Sequence, residues 1–568
     1  MLRRYLLVPV LIGVLTGVSA VVFVHLLNLI TRYVLESVVS YIQPLPAGEG
    51  IRQEFTQEPT RPYLLPLTVA LGGLISGFLT YYLSPESAGV GTDAAIKAYH
   101  NRERLSIRSS ILKLITSALT IGTGGTSGRE GPIALIGAGI GSTVAGLFRM
   151  GERDRRIAIA VGLGSGIAAI FKAPLAGAII SAEVFFKRDF DIEAVIPSFI
   201  ASITSYSVFA LFFGFQPIFS VNIQKLSNIY PTLLAYAGLG VVCALMVRIF
   251  IFVFFMVKER FDRLSFPPYL KPALGGFLAG LVGMFVPSAI GNGYGWLQLI
   301  MDGKLHDITL ILFSALGIIL GASLTLGSGG SGGVFGPSVM LGGLVGAFYS
   351  LFLNSMHNLS LHVPSMVVVG MISFFAGAAK APLSTLILIA EMTGGYELLI
   401  PAMISVFITF FLSGDRSIFP SQVDTRLDSP AYSDEWGLYI IERLRVKDHM
   451  SEPITIKPYV HIEEAQDLMA QNLIGGLPVV NDGKLVGIIT KSDVLKVPPE
   501  KRSSTKVYEV MSTNLIVATP EDTLGYVFRL MMGKGVGRIP IVEKKGSLKL
   551  VGIIARADIG RAIREHKA

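Results

Sequence analysis

Cysteine is almost absent from this chain: Cys243 is the only one in 568 residues. That excludes a disulfide framework and a cysteine-ligated zinc cluster, and Cys243 is read as an apolar packing residue. Histidine is scarce too, with 8 residues in neither an H-E-x-x-H arrangement nor a cluster, so no metal site is expected. Charged residues make up only 15% of the chain, and no basic patch with interleaved aromatics occurs, which removes nucleic acid from the candidate partners. No nucleophile with a matching base can be picked out, so the chain does not read as an enzyme. A Gly/Ser linker is missing, and the 17 methionines are scattered without a stripe, as packing residues are.

Apolar residues fill the space that charge leaves. They form 51% of the chain, and the mean hydropathy is +0.60, too high for an ordinary soluble protein. The reading is a multi-pass membrane protein with a soluble appendage. The opening LRRYLLVPVLIGVLTGVSAVVFVHLLNLITRYVL is longer than a signal-peptide core and has no cleavage site, so it is a retained span. Arg3 and Arg4 ahead of it place the N-terminus in the cytoplasm, and the net charge of +8 fits juxtamembrane Lys and Arg. Apolar segments recur to about residue 413. Many are shorter than the roughly 20 residues of a straight span, which predicts tilted, partial or re-entrant helices.

Two glycine-rich stretches stand out. GTGGTSGREGP (Gly122 to Pro132) opens one apolar run, and GSGGSGGVFGP (Gly327 to Pro337) opens another, at a constant offset of 205. Glu130 in the first aligns with Phe335 in the second. An acid inside the membrane costs about 3 kcal/mol on insertion scales, which marks Glu130 as functional. Its bland alternative is a simple pair with Arg129 at a helix end. Because both stretches open helices, their unpaired N–H groups and partial positive charge favour an anion.

The stretches belong to a longer internal repeat, about 63–205 and 266–413. ALGG at Ala70 to Gly73 returns at Ala273 to Gly276, and Pro85, Gly89, Gly91 return as Pro287, Gly291, Gly293. KAPL at Lys172 to Leu175 returns at Lys380 to Leu383, followed by the Ala-Glu pairs ending in Glu183 and Glu391. Interrupted helices in two related halves point to a binding site at the repeat interface, since irregular backbone is tolerated there only where it lines a cavity. After Phe411 the hydropathy falls, and a connecting helix is expected over 437–445. The soluble part is duplicated in turn: VKDHM, LPVV and VGIITKSDV recur as VYEVM, IPIV and VGIIARADI, each copy an α/β alternation. The limits read are 1–436 for the membrane part, then 446–503 and 504–568.

GREGP at Gly128 to Pro132, GVFGP at Gly333 to Pro337 and FKAPLAG at Phe171 to Gly177, with a paired domain after them, resemble the CLC family of chloride channels and proton/chloride antiporters. The resemblance implies an all-α, multi-pass inverted repeat with broken helices, followed by an α/β pair of cystathionine-β-synthase (CBS) domains. It implies a homodimer in the plasma or inner membrane with cytoplasmic CBS domains, carrying chloride or a similar anion without a required cofactor. Glu130 then resembles the gating glutamate. Val90, Gly91, Arg129, Gly131, Val334, Phe335 and Tyr432 fall at anion-binding places; the rival reading of Tyr432 is a tyrosine of the interface belt.

Two departures from the family pattern matter. Val90 stands where a serine hydroxyl is expected in Gly89-Val90-Gly91-Thr92-Asp93, and either weakens the central site or forms only a wall beside backbone donors. Val184 stands at the internal proton-transfer place and cannot carry a proton, which favours a channel or weakly coupled carrier over an antiporter using another route, such as water. In the CBS pair, Thr490, Asp493 and Asp558 match ribose-binding places, implying an ATP- or AMP-type nucleotide, while Ala555 lacks the hydroxyl in the second copy. The other reading is a pair that only dimerises. A non-transporting membrane sensor and a divalent-cation carrier are the rivals of other classes. The latter would need clustered acids, and Glu130, Glu183 and Glu391 sit in separate motifs.

Overall fold

The computed structural model describes residues 6–50, 55–222, 229–357, 360–432 and 440–565. The chain divides between Ala431 and Tyr432 into two compact units, five residues before the limit read from the sequence. Of the connecting helix expected at 437–445, the residues to 439 lie outside the described ones. Residues 440–443 are helical, and the chain has left the helix by Leu444.

The first unit is helical. After α1 (Val8–Thr31) come α2 (Leu65–Leu83), α3 (Gly91–His100), α4 (Ile107–Gly122), α5 (Glu130–Leu147), α6 (Glu152–Phe171), α7 (Pro174–Glu183) and α8 (Ile192–Phe213). A long α9 (Ile229–Arg263) leads to α10 (Lys271–Phe285), α11 (Tyr294–Met301), α12 (Ile308–Gly327), α13 (Phe335–His357), α14 (Val363–Ala379), α15 (Pro382–Thr393) and α16 (Leu399–Leu412). The helices α2 to α8 thus correspond one by one to α10 to α16. Seven helices among the described residues are long and apolar enough to cross a membrane. Others, such as the eight residues of α11 and the ten of α7, are too short to cross it alone.

The repeat landmarks are places where two backbones touch. A methyl group at Gly73 of the first ALGG would lie 2.2 Å from the carbonyl of Pro272, and one at Gly276 of the second would lie 2.6 Å from that of Val69. So α2 and α10 pack across the interface between the copies. The Ala-Glu landmark is also reciprocal. Glu183 accepts hydrogen bonds from the N–H groups of Leu383 and Ser384 (3.0 and 2.7 Å), which start α15. Glu391 accepts from Leu175 and Ala176 (3.2 and 2.8 Å), which start α7. Each acid caps the helix start of the other copy, so the two share one structural role.

The second unit holds two similar layers. In the first, α17 (Ile462–Gln471) precedes the antiparallel pair β1 (Gly476–Asn481) and β2 (Lys484–Thr490), followed by α18 (Lys491–Leu495). In the other, α19 (Leu524–Lys534) precedes the antiparallel pair β3 (Arg538–Val542) and β4 (Leu550–Ala555), followed by α20 (Arg556–Glu565). Parallel bridges from Ile456 to Val479 and from Ala518 to Ile541 add a third rung to each. The cores do not follow the sequence repeat. Val446, from the lead of the first copy, packs with Leu524, Ile539 and Ile554 of the second, whereas Val507, from the lead of the second, packs with Ile462, Leu477 and Ile489 of the first.

Candidate functional site

The two glycine-rich stretches meet. Gly128 and Gly333 form an antiparallel bridge, with the Gly128 N–H donating to the Gly333 carbonyl at 2.8 Å. The Gly333 N–H donates to Ser127 Oγ (2.9 Å). A methyl group built at Gly131 would lie 2.6 Å from Gly333 Cα, a crossing that any side chain would force apart. The third interrupted segment joins them: Val90 bridges Gly332, and the Gly91 N–H donates to the Gly332 carbonyl at 3.1 Å. Three helix starts, at Gly91, Glu130 and Phe335, therefore converge. Their first N–H groups have no partners within their own helices, which gathers positive potential at one point.

Glu130 and Phe335, aligned by the repeat, both occupy the first position of their helices. Glu130 is fully buried. Its Oε1 accepts a hydrogen bond from the Tyr294 hydroxyl at 2.7 Å, while its Oε2 has no partner among the described residues. Methyl groups at Gly128 and Gly336 would lie 2.1 and 3.2 Å from Oε2, so this oxygen sits in the glycine crossing itself. The bland alternative, a pair between Arg129 and Glu130 at the helix end, is not what forms. Arg129 pairs instead with Glu49, on the turn Ala47–Glu49. Phe335 is buried between Phe171 and Phe375, with ring centroids at 4.5 and 3.9 Å. Val334 and Gly131 are buried beside it.

Val90 is half-buried and lines a cavity of about 350 Å³ together with Asp93, Lys97 and Lys258. Val184 is buried just past α7, where its carbonyl accepts from Gln422 (2.7 Å). The neighbouring Glu183 has both oxygens engaged in capping α15. Tyr432 closes the turn Pro430–Tyr432 and is buried, but it begins the second unit, and its place at the crossing stays an expectation.

Sequence reasoning missed three residues. Tyr294 was signalled by the repeat, because it follows Gly293 as Thr92 follows Gly91. Lys113 was signalled by its place in the apolar run of α4; its Nζ donates to the carbonyls of Ser87 and Gly89 (3.0 and 2.7 Å), fixing the loop before α3. Glu49 had no signal at all, since it sits 80 residues from Arg129 in a polar loop.

In the second unit, Thr490 and Asp493 come together as a capping box for α18: the Thr490 hydroxyl and N–H donate to Asp493 Oδ2 at 2.6 and 3.1 Å. Lys496 holds the other oxygen at 2.9 Å. Burial pushes the Asp493 carboxyl up, but the bonds from Thr490 and Lys496 outweigh it and hold the group below its ordinary value. Asp558 caps α20 through the Ala555 N–H (2.8 Å) and pairs with Arg561. A cavity of about 500 Å³ lies against α18, lined by Gln466, Gly475, Lys491 and Arg502 among others. Among the described residues no group of His, Cys, Asp or Glu is placed to hold a metal ion.

Known proteins share this architecture. The family description "Voltage gated chloride channel" matches residues 72–414, and "CBS domain" matches 446–500 and 507–565. The H(+)/Cl(-) exchange transporter ClcA of Citrobacter koseri is 29% identical over 410 residues, 70% of this chain and 83% of that protein. A slow cyanobacterial Cl-/H+ antiporter superposes with a TM-score of 0.62 at 23% identity, over 73% of this chain and 96% of the other. A eukaryotic CLC transporter covers 98% of both chains with a TM-score of 0.55 at 21% identity. The crossing of helix starts around a buried glutamate therefore lies in a multi-pass membrane protein that belongs to the voltage gated chloride channel (CLC) family and carries a C-terminal pair of CBS domains.

Proposed function

We propose that the crossing of α3, α5 and α13 is the path of chloride or a similar monovalent anion, and that Glu130 is its gate. The observation that supports this most directly is Glu130 Oε2, a buried carboxylate oxygen without a partner among the described residues, set among helix starts whose N–H groups suit an anion. Ionised, the carboxylate takes the place of an anion; protonated or displaced, it leaves that place open. The N–H groups of Gly131, Val334 and Phe335 bind the anion, Arg129 adds positive potential, and Val90, next to Gly91, forms the wall toward the 350 Å³ cavity. Helix-start charges of about +0.5 offset dehydration without holding the ion as tightly as a full cation would.

In this reading the protein is a homodimer with its N-terminus and CBS pair in the cytoplasm. The CBS pair senses an adenine nucleotide: Thr490, Asp493 and Asp558 meet the ribose, and Lys491 and Arg502 in the adjoining cavity suit its phosphates. Replacing Glu130 by Gln in reconstituted protein is expected to abolish the dependence of anion flux on external pH. Flux that still titrates as in the wild type removes Glu130 from the gate.

Val184 brings no proton to the internal transfer place, and Glu183 is engaged in capping, so transport is read as channel-like or weakly coupled. A second reading, proton-coupled exchange, is favoured by the names of the relatives, an exchange transporter among them. Chloride and proton fluxes measured together in liposomes decide between the two. The first reading expects no proton uptake driven by a chloride gradient, and stoichiometric uptake establishes the second.

A further inference from the structure

A second carboxylate stands outside the gate. Glu49 is on the turn Ala47–Glu49, in the segment between α1 and α2. It pairs with Arg129, the residue immediately before Glu130, whose side chain is only 6% exposed and whose Nε is buried without a partner among the described residues. The same turn offers the Gly48 carbonyl to Lys172 Nζ at 2.9 Å, and the Phe213 carbonyl takes a second bond from that ammonium at 2.8 Å. Arg32, Glu49, Arg129 and Lys172 line one cavity of about 110 Å³, with Asn28 and Asn292 as neutral donors. Among the described residues that line it, three cations thus face one acid. The volume exceeds that of one water several-fold, leaving space for an ion with part of its hydration shell.

The topology sets this cavity on the far side from Val90. The end of α1 lines it; α2 starts on that side, crosses, and ends at Pro85, which lines the 350 Å³ cavity. With the N-terminus in the cytoplasm, the smaller cavity faces outward. The turn that carries Glu49 is pinned, since the Gly48 N–H donates to the Ile218 carbonyl (2.9 Å) and a methyl group at Gly48 would lie 1.9 Å from the Pro217 carbonyl. The backbone therefore stays in place, and only the Glu49 side chain has to turn aside to free Arg129.

We propose that this cavity is an outer anion site, that Arg32, Arg129 and Lys172 recruit a small monovalent anion there before it reaches the gate, and that Glu49 occupies it at rest. Two carboxylates then stand in series, each in the place of an anion: Glu49 against side-chain cations, Glu130 against helix-start N–H groups. Glu49 competes with the incoming ion and keeps the basin from trapping it, because a site with three uncompensated cations would release an anion too slowly for rapid passage. This rests on the anion path proposed above.

The test is unidirectional chloride uptake into liposomes holding the full-length protein, measured against external and then internal chloride. Glu49→Gln is expected to lower the external KM about threefold or more by removing the competitor. Arg32→Gln, at an exposed position that tolerates substitution, is expected to raise it by a similar factor by weakening recruitment. The internal KM should stay as in the wild type for both. Wild-type external KM in both variants overturns the outer site, as does a change confined to the maximal rate. Should Glu49→Gln fail to assemble, Arg32→Gln decides alone. A wild-type protein that carries no anion at all fails earlier, because it removes the transport reading itself and the outer site with it.

Discussion

Glu130 is held by a hydrogen bond from Tyr294 and by the potential of the surrounding helix starts. Replacing Tyr294 by Phe keeps the ring that packs against Phe219 (centroids 5.7 Å apart) and deletes only the donor. A hydrogen bond to an ionised group contributes about 1.5–3 kcal/mol, and about 1.4 kcal/mol is a tenfold change in population. Tyr294→Phe should therefore shift the carboxylate toward its displaced state and raise anion flux at neutral pH by about tenfold or more. Flux equal to the wild type in this variant would mean that the phenol does not hold the Glu130 carboxylate in place. The bond was hidden in the sequence because its partners are 164 residues apart, on a helix of each copy. Glu130 itself was legible, since an acid at a glycine-rich helix start within an apolar run has few structural reasons to exist. Glu49 was not, because an acid in a polar loop has many.

At the scale of the helix, glycine sets how closely neighbours approach. A methyl group at Gly137 of α5 would lie 2.1 Å from the carbonyl of Gly162 in α6, and one at Gly162 would lie 2.0 Å from that of Gly137. The corresponding pair in the second copy, Gly342 of α13 and Gly370 of α14, shows 2.3 and 2.2 Å. Because α5 and α13 begin with Glu130 and its aligned Phe335, these contacts also fix the crossing. Gly137→Ala should cost about 1–3 kcal/mol through forced backbone shifts, read as a lower temperature at which the purified protein loses its monodisperse peak. Gly146, near the end of the same helix, has open space where a Cβ would sit, so Gly146→Ala should be neutral or slightly stabilising. Equal losses from both substitutions would show that close packing is not the reason for Gly137. The repeat was readable at this scale because ALGG, the glycine-rich turns and the Ala-Glu pairs are all contacts between the copies. The crossed capping by Glu183 and Glu391 was readable only as a shared role, since a repeat shows that two residues do the same thing without showing where either one reaches.

At the scale of the whole chain, the sequence repeat and the packing unit part company in the CBS pair. Each copy's lead strand runs into its partner's layer: the Ser451 N–H donates to the Ile553 carbonyl at 3.0 Å, and the Ser512 N–H donates to the Ile488 carbonyl at 2.9 Å. Met450 lies over Gly552 and Met511 over Gly487, so the leads are exchanged at both ends. An alignment of the two copies cannot reveal this, because matching leads align the same way whether each folds back on its own layer or crosses to the other. The exchange makes a truncation prediction that depends on a few residues. A chain ending at 503 keeps the whole first sequence copy but loses Val507 and Met511, which complete the core around Ile462, Leu477 and Ile489. A chain ending at 513 keeps them. Under limited trypsin digestion, the shorter chain should be cut rapidly at Lys491, Lys496 or Arg502, and the longer one should protect those sites nearly as well as the full-length protein. Losing the buried Val507 and the half-buried Met511 costs about 2–5 kcal/mol together, enough to unfold a layer built on so small a core. Equal resistance in the two truncated chains would mean that the first copy closes its core without the lead of the second, and that the exchange contributes little to holding the layers together.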